Sequence, residues 1–331
     1  MGAVQAQDLA GAKWALGLRT PDVLESEVDR LFDEGAILRT HVMRPTWHFV
    51  LPKDIRWMLE LTGARIRAGA AGRYRRLEID DRLAARAEAV FEKALTGGRH
   101  LTRSELGDAL GTAGITSDGQ RLPHVLMAAE LRGLLASGPR RGRQATWALL
   151  EERAPAATSP PREEAVADLV YRYFATRGPA QLQDFVWWSG LTMADARAGI
   201  AAAGDALAHH EVENRKYWFD AGGARAGDIA GKAHLLPNFD EYTVAYRDRT
   251  ALVRPDRPLN TELFAFGSIL ANVLMVGGKV HGSWRKTVAR GRVQIQVRLQ
   301  DKGDHAFAVA VGDACALLGR FLEAPVDLSL L

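Results

Sequence analysis

Apolar residues recur at helical spacing from Asp81 to Thr96, where Leu83, Ala87, Val90, Phe91 and Leu95 form one face and Gly97-Gly98 ends the run. Thr102 then caps a second helix through Leu106 and Leu110 to Gly111, with Glu105 three residues on as its capping-box partner. A third helix covers about Leu122 to Leu135 and leads through the basic loop Ser137-Gly138-Pro139-Arg140-Arg141-Gly142-Arg143 into a strand, Ala145 to Leu150. Three helices, a strand, a basic loop and a strand follow one another in the winged-helix order.

The same order returns after Ala154 to Pro161, whose prolines and small residues predict an interdomain linker. Helices are predicted at Glu164 to Thr176, Gln181 to Ser189 and Thr192 to Ala203, then a hairpin pairing Leu207 to Val212 with Arg215 to Phe219 around Glu213-Asn214. The N-terminal segment fits as another copy: a helix from Glu25 to Asp33, then strands Ala36 to Met43 and Thr46 to Val50 joined at Arg44-Pro45. The C-terminal hundred residues differ. Val273 to Trp284 is a hairpin turning at Gly277-Gly278, Val293 to Leu299 alternates as a half-buried strand does, and a closing helix runs from about Ala306 to Leu322. The expectation is an α+β chain of tandem winged-helix domains, 1–78, 79–153 and 162–222, followed by a small β-rich C-terminal domain, 223–331.

Composition narrows the class. The 331 residues are 47% hydrophobic and 25% charged, ordinary for a soluble protein with several cores. The one cysteine, Cys315, excludes a disulfide framework and reads as a small buried hydrophobe, which suits a reducing compartment. No apolar run reaches membrane-span length and no basic-then-apolar leader opens the chain, so a cytoplasmic, nucleoid-associated monomer without membrane partner is expected. The nine histidines show no metal-site spacing, and neither a glycine-rich phosphate loop nor a nucleophile elbow is present; no metal or cofactor is expected.

Net charge is only +3, but its placement is uneven. Arg65, Arg67, Arg73, Arg75 and Arg76 lie between Glu60 and Glu78 with no acid among them, and Arg140, Arg141 and Arg143 form a second cluster. Guanidinium forks match phosphate oxygens, so both clusters are candidate contacts to a polyanion; a solvated face gives the same pattern. Arg44 at the first hairpin turn and His48 beside Trp47 are further candidates, against plain exposure for the arginine and packing for the histidine. Trp284 and Arg285 offer an aromatic or cationic surface, or a core position for the tryptophan. Asp240 and Glu241, adjacent on what reads as a strand, are expected to face opposite ways and not to cooperate.

Gln5-Ala6-Gln7 at the start of the chain is the distinctive chemistry. Glutamine does not titrate usefully, so two flanking one small residue suggest amides that orient something, such as a water; a polar helix N-terminus, with Asp8 as cap, is the alternative. Val4-Gln5-Ala6-Gln7-Asp8, Trp14 to Arg19, Leu38 to Val50, Leu235-Leu236-Pro237-Asn238-Phe239-Asp240-Glu241-Tyr242 and Val280 to Arg285 together resemble the signatures of the bacterial winged-helix DNA glycosylase superfamily, over essentially the whole chain. The resemblance implies tandem winged helices closed by a β-rich domain. Its AlkZ-like branch carries glutamine-hydrophobic-glutamine and its YcaQ-like branch has aspartate at the third position, so Gln5 and Gln7 place this chain with the former. It implies hydrolysis of the N-glycosidic bond of purines alkylated at N7 or N3 in double-stranded DNA, bulky adducts and interstrand crosslinks included. A winged-helix DNA-binding protein without catalysis, a regulator or damage-recognition factor, is the alternative, and a protein-interaction scaffold a third. One departure stands out. The family usually has a helix before the motif, whereas here Met1-Gly2-Ala3 leads directly into it, so either a late-assigned start or a shortened first domain is expected, and in the second case Gln5 and Gln7 would be poorly held.

Overall fold

The computed structural model describes residues 1–154, 158–223, 227, 229–254, 256, 272–289, 291–301 and 303–331. Along the chain, β1 (Val4–Gln5) and α1 (Leu9–Gly17) precede α2 (Glu25–Glu34), β2 (Leu38–His41), β3 (Trp47–Val50) and α3 (Pro52–Arg76). Next come α4 (Asp81–Leu95), β4 (Leu101–Thr102), α5 (Arg103–Thr112), α6 (Arg121–Leu131), β5 (Leu135–Ser137), β6 (Thr146–Leu149) and α7 (Leu150–Arg153). After the proline-rich stretch, of which 155–157 lie outside the described residues, follow α8 (Arg162–Arg177), α9 (Leu182–Ser189), α10 (Met193–Ala203), β7 (Leu207–Val212) and β8 (Arg215–Asp220). The last elements are β9 (Ala233–Leu236), α11 (Glu241–Val244), β10 (Val273–Val276), β11 (Lys279–Ala289), β12 (Arg292–Leu299), α12 (His305–Phe321) and β13 (Val326–Leu330). Two compact units result: Met1–Val4 with Arg30–Ala221, and Gln5–Asp29 with Gly222–Leu331.

In the first unit the local signals are realised. The Thr102 hydroxyl accepts from the Glu105 N–H while the Glu105 carboxylate accepts from the Thr102 N–H, and the same reciprocal cap recurs at Thr192 and Asp195. Glu213 and Asn214 both take positive φ, which lets β7 and β8 close through a two-residue turn with the twist that paired strands require. Two features differ from expectation. The third helix stops at Leu131, because Gly133 at φ 77° reverses the chain and Leu135–Ser137 pairs with β6 as a strand. The arginine-rich stretch after Glu60 belongs to a helix of 25 residues that Pro52 starts and whose buried positions end at Ile66. Beyond Ile66 it carries only small residues and Tyr74 among arginines, with Ala70 and Tyr74 packed against Ile66, Met127 and Leu131, so the apolar periodicity there is weak.

The second unit is built on a sheet in the order β13-β12-β11-β10-β9. Gly277 and Gly278, both at positive φ, make the tight β10–β11 turn, and α12 crosses over to bring β13 parallel to β12. Its core joins Trp14 and Val28 to Leu235, Leu274, Trp284, Ile295, Val297, Val311, Leu318 and Phe321. Cys315 lies within this core, where burial pushes its thiol up to about 11, as expected of an inert apolar thiol. Among the described residues no helix is long and apolar enough to cross a membrane.

Candidate active site

Gln5, Ala6 and Gln7 sit at the head of a segment that the second unit holds at three points. Trp14 Nε1–H donates to the Leu235 carbonyl at 2.6 Å. Arg19 forks onto Asp240, Nη1 to Oδ2 at 2.8 Å and Nη2 to Oδ1 at 2.7 Å, and also reaches the Ala15 carbonyl at 2.9 Å. The Gln5 backbone N–H donates to Glu241 Oε1 at 2.7 Å, in a bond spanning 236 residues of sequence. The Gln5 backbone and the helix that follows it are therefore held within the second unit.

The local sequence explains these contacts. Asp8 caps α1 by accepting from the Gly11 N–H, and Gly11 lets the first turn close onto Pro237: a Cβ there would lie 3.2 Å from the Pro237 ring carbon and 3.1 Å from Asp8 Oδ2. Asp240 likewise caps α11, accepting from Tyr242 N–H, so Asp240 and Glu241 stand at a helix start and not on a strand. This corrects the expectation that they would face apart. Both are buried, and both turn to the N-terminal segment, one through Arg19 and one through Gln5. Burial alone would lower the Arg19 pKa, but the bond and the charge of Asp240 outweigh it and raise it.

The two glutamines differ in setting. Gln7 is exposed, whereas Gln5 is 6% exposed and its side-chain oxygen Oε1 has no hydrogen-bond partner among the described residues. A buried amide carbonyl without a donor is costly, and it accepts a water or a ligand hydroxyl readily. Lys286, whose charge is felt by Asp8 and Glu25, is partly buried, and burial holds its ammonium below the ordinary lysine range while those two acids pull the other way. A cavity of about 210 Å³ is lined by Leu18, Arg19, His234, Leu236, Tyr242 and Met275. Partial burial, then Lys232 and Arg19, lower the pKa of His234 below the ordinary histidine value.

The arginine candidates divide. Arg65, Arg75, Arg76 and Arg143 are exposed, and these and Arg73 form no ion pair among the described residues. On α3, Arg65 and Arg76 share a stripe with Gly69 and Gly72, since positions 4, 7 and 11 residues apart fall on one helix face. Arg73, Arg75 and Arg76 also occupy the last turn, where cations offset the negative end of the helix dipole. Several candidates are corrected. Arg67 donates to the Leu131 carbonyl at 2.9 Å, and Arg140 is engaged by Asp33 through its backbone N–H and its guanidinium. Arg141 pairs with Glu105 at 2.6 Å, the carboxylate that also closes the α5 cap and that this bonding holds at a pKa of about 2. His48 is buried with Nδ1 at 2.9 Å from the Thr46 carbonyl, a packing position. Trp284 is 2% exposed and donates Nε1–H to the Leu236 carbonyl, so it is a core residue and not a surface for DNA. Its neighbour Arg285 is exposed and donates to Gln296 Oε1. Arg44 is half-buried, with its guanidinium 5.9 Å from the centre of the exposed Trp187 ring.

Residues 1–321, which hold the glutamine pair and the carboxylates behind it, match the AlkZ-like DNA glycosylase family. The chain belongs to that family. An AlkZ-like relative from Streptomyces sahachiroi, an interstrand DNA cross-link repair glycosylase, is 27% identical over 302 residues, covering 85% of this chain and 79% of its own. The fold is that of the solved Streptomyces sahachiroi DNA glycosylase AlkZ, with a TM-score of 0.75 at 22% identity over 99% of this chain and 91% of that one. The α+β architecture with a sheet-rich C-terminal region is thus the one read from the sequence. What sequence reasoning missed at the site is the role of Asp240, Glu241 and Arg19. Their signal was present only as part of the resemblance, in Leu235 to Tyr242 and Trp14 to Arg19.

Proposed function

We propose that this AlkZ-like protein is a monofunctional DNA glycosylase that hydrolyses the N-glycosidic bond of purines carrying a cationic N7 or N3 alkyl group in duplex DNA. The observation that carries the reading is the buried Gln5 carbonyl without a partner among the described residues, on a segment held by Glu241 and Asp240 and two residues from the exposed Gln7. Alkylation makes the base a cation, so it departs with the electron pair of the C1′–N bond as a neutral purine and needs no strong acid. What remains is to place a water at C1′ and to favour the developing oxocarbenium charge, and two amide dipoles can do both. The repair of interstrand crosslinks named for the relative extends the same step to a base tethered to the opposite strand. We assign residues 79–153 and 162–222 to winged-helix units, with a first such unit over 1–78 and a β-rich domain over 223–331, acting as a monomer in the cytoplasm at the nucleoid.

The test is release of N7-methylguanine from a duplex, read as strand cleavage after heat or alkali. Cleavage at the modified guanine is expected; a protein that binds the duplex and never yields an abasic site would instead be a DNA-binding factor without catalysis. Among the candidate contacts, Arg65, Arg75, Arg76 and Arg143 are the arginines whose exposure and lack of an ion pair among the described residues best suit phosphate. Each phosphate they neutralise adds about 0.9 to the slope of log affinity against log salt, so replacing all four by Ala should make it shallower by up to about 3 to 4. Replacing Arg140 and Arg67 should leave the slope nearly unchanged, because their guanidiniums already serve Asp33 and Leu131. Equal slopes for the fourfold variant and the parent would return these arginines to solvent and to the α3 helix dipole.

A further inference from the structure

The glutamine pair is held by a carboxylate where a neutral acceptor would satisfy the same bond. Backbone amides in a fold are ordinarily met by backbone carbonyls, and a buried carboxylate is a costly substitute. Here Glu241, 2% exposed, comes from a point 236 residues away and accepts the N–H of the first motif residue at 2.7 Å. Gln5 ends β1, and beyond Gln7 the chain enters α1 at its Asp8 cap. The motif therefore lies between two fixed points, the Glu241 bond before it and the Asp8 cap after it. The backbone N–H orientation at Gln5 is coupled to its φ, and φ with the rotamer sets where the buried amide carbonyl points. Ala6 between the glutamines is fully buried, so the segment is also packed at its middle residue.

From this geometry we infer that Glu241 is a positioning residue for the hydrolysis: its carboxylate, by fixing the Gln5 backbone, aims the Gln5 amide at the water. The inference rests on the glycosylase reading above. Asp240 serves the same segment more remotely, through Arg19 at the far end of α1, so the two adjacent acids latch both ends of the stretch that begins at Gln5. A displacement of about an ångström at a group that orders a water is enough to cost one to two orders of magnitude in rate, with little effect on groups that bind phosphate elsewhere.

The experiment compares Glu241→Ala and Glu241→Gln in the full chain, by single-turnover excision of N7-methylguanine, duplex affinity and amide hydrogen exchange at Gln5. Glu241→Ala is expected to lower the excision rate roughly tenfold to a hundredfold, with duplex affinity within about twofold of the parent and with faster exchange at the Gln5 amide. Glu241→Gln keeps an acceptor oxygen, so it should recover the rate to within about threefold and slow the Gln5 exchange again. The assignment is overturned if folded Glu241→Ala excises at the parental rate, or if Glu241→Gln is as slow as Glu241→Ala. It is equally overturned if the Gln5 amide exchanges alike in all three proteins, which removes the bond itself. A parent that never excises overturns the glycosylase reading and is recognised before either variant is made.

Discussion

Replacing Gln5 or Gln7 by Ala is expected to slow excision of a cationic alkylpurine by roughly tenfold to a thousandfold, the range for losing one positioned polar group. Duplex affinity should stay within about twofold. The two effects separate because each amide acts on the transition state through the water and the oxocarbenium charge, whereas ground-state binding comes from arginines spread over other elements. The variants should differ from each other in stability. Gln7 is exposed, so its loss should leave the melting temperature unchanged. Gln5 is buried with a carbonyl that lacks a partner among the described residues, so its truncation removes a desolvated polar atom and leaves a small cavity; these oppose each other, and a shift of a few degrees at most is expected. Single-turnover kinetics with melts on the same preparations check this. Parental excision rates in both folded variants would sink the amide mechanism.

Glu130 should give the largest stability effect in the molecule. It is 1% exposed on α6 and accepts three hydrogen bonds: from the His41 backbone N–H at 3.0 Å, from the His41 ring at Nδ1 at 2.5 Å and from Trp147 Nε1–H at 2.6 Å. One carboxylate thus ties α6 to the end of β2 and to β6. Glu130→Ala strands these groups in the interior and should cost about 3–5 kcal/mol, or roughly 6–20 °C in melting temperature for a unit of this size. Glu130→Gln keeps an acceptor and should cost less.

The pH dependence follows from the same contacts. Burial alone would raise the Glu130 carboxyl, but attraction to His41 and the hydrogen bonds outweigh burial and hold it below the ordinary range. A folded pKa below the unfolded one means that the unfolded chain binds more protons in acid. The contribution is therefore complete above the ordinary glutamate value of about 4.3 and is lost as pH falls through the folded value. Chemical denaturation between neutral and acid pH should show the parent losing stability more steeply than Glu130→Gln. Parallel curves would show that Glu130 does not carry this charge into the fold.

Neither Glu130 nor Glu241 could be singled out from its neighbours in the chain. Glu130 interrupts the apolar run from Val125 to Leu131, and an acid in such a run reads as the polar edge of a helix. Glu241 follows Asp240 in a stretch that resembled a strand until the Asp240 cap turned it into a short helix. The arginine clusters show the same limit. Sequence groups Arg65, Arg67, Arg73, Arg75 and Arg76 as one positive run, but a helical turn of 100° per residue sends Arg67 toward the Leu131 carbonyl while Arg65 and Arg76 stay in solvent.

By itself the sequence determined what depends on neighbours a few residues apart. The capping boxes at Thr102 and Thr192, the paired positive-φ turns at Glu213-Asn214 and Gly277-Gly278, and the alternation of Val293 to Leu299 each set a local backbone conformation that the fold keeps. It also marked Gln5-Ala6-Gln7 as a candidate pair of orienting amides, beside the plainer reading of a polar helix N-terminus. The tertiary structure decided which side chains meet. Trp284 went to the core, Arg140 to Asp33, and Gln5 to Glu241, because burial and pairing are settled between elements that lie from tens of residues to more than two hundred residues apart. A carboxylate acquires a partner only when the fold removes its water, and no pattern along the chain records where that happens.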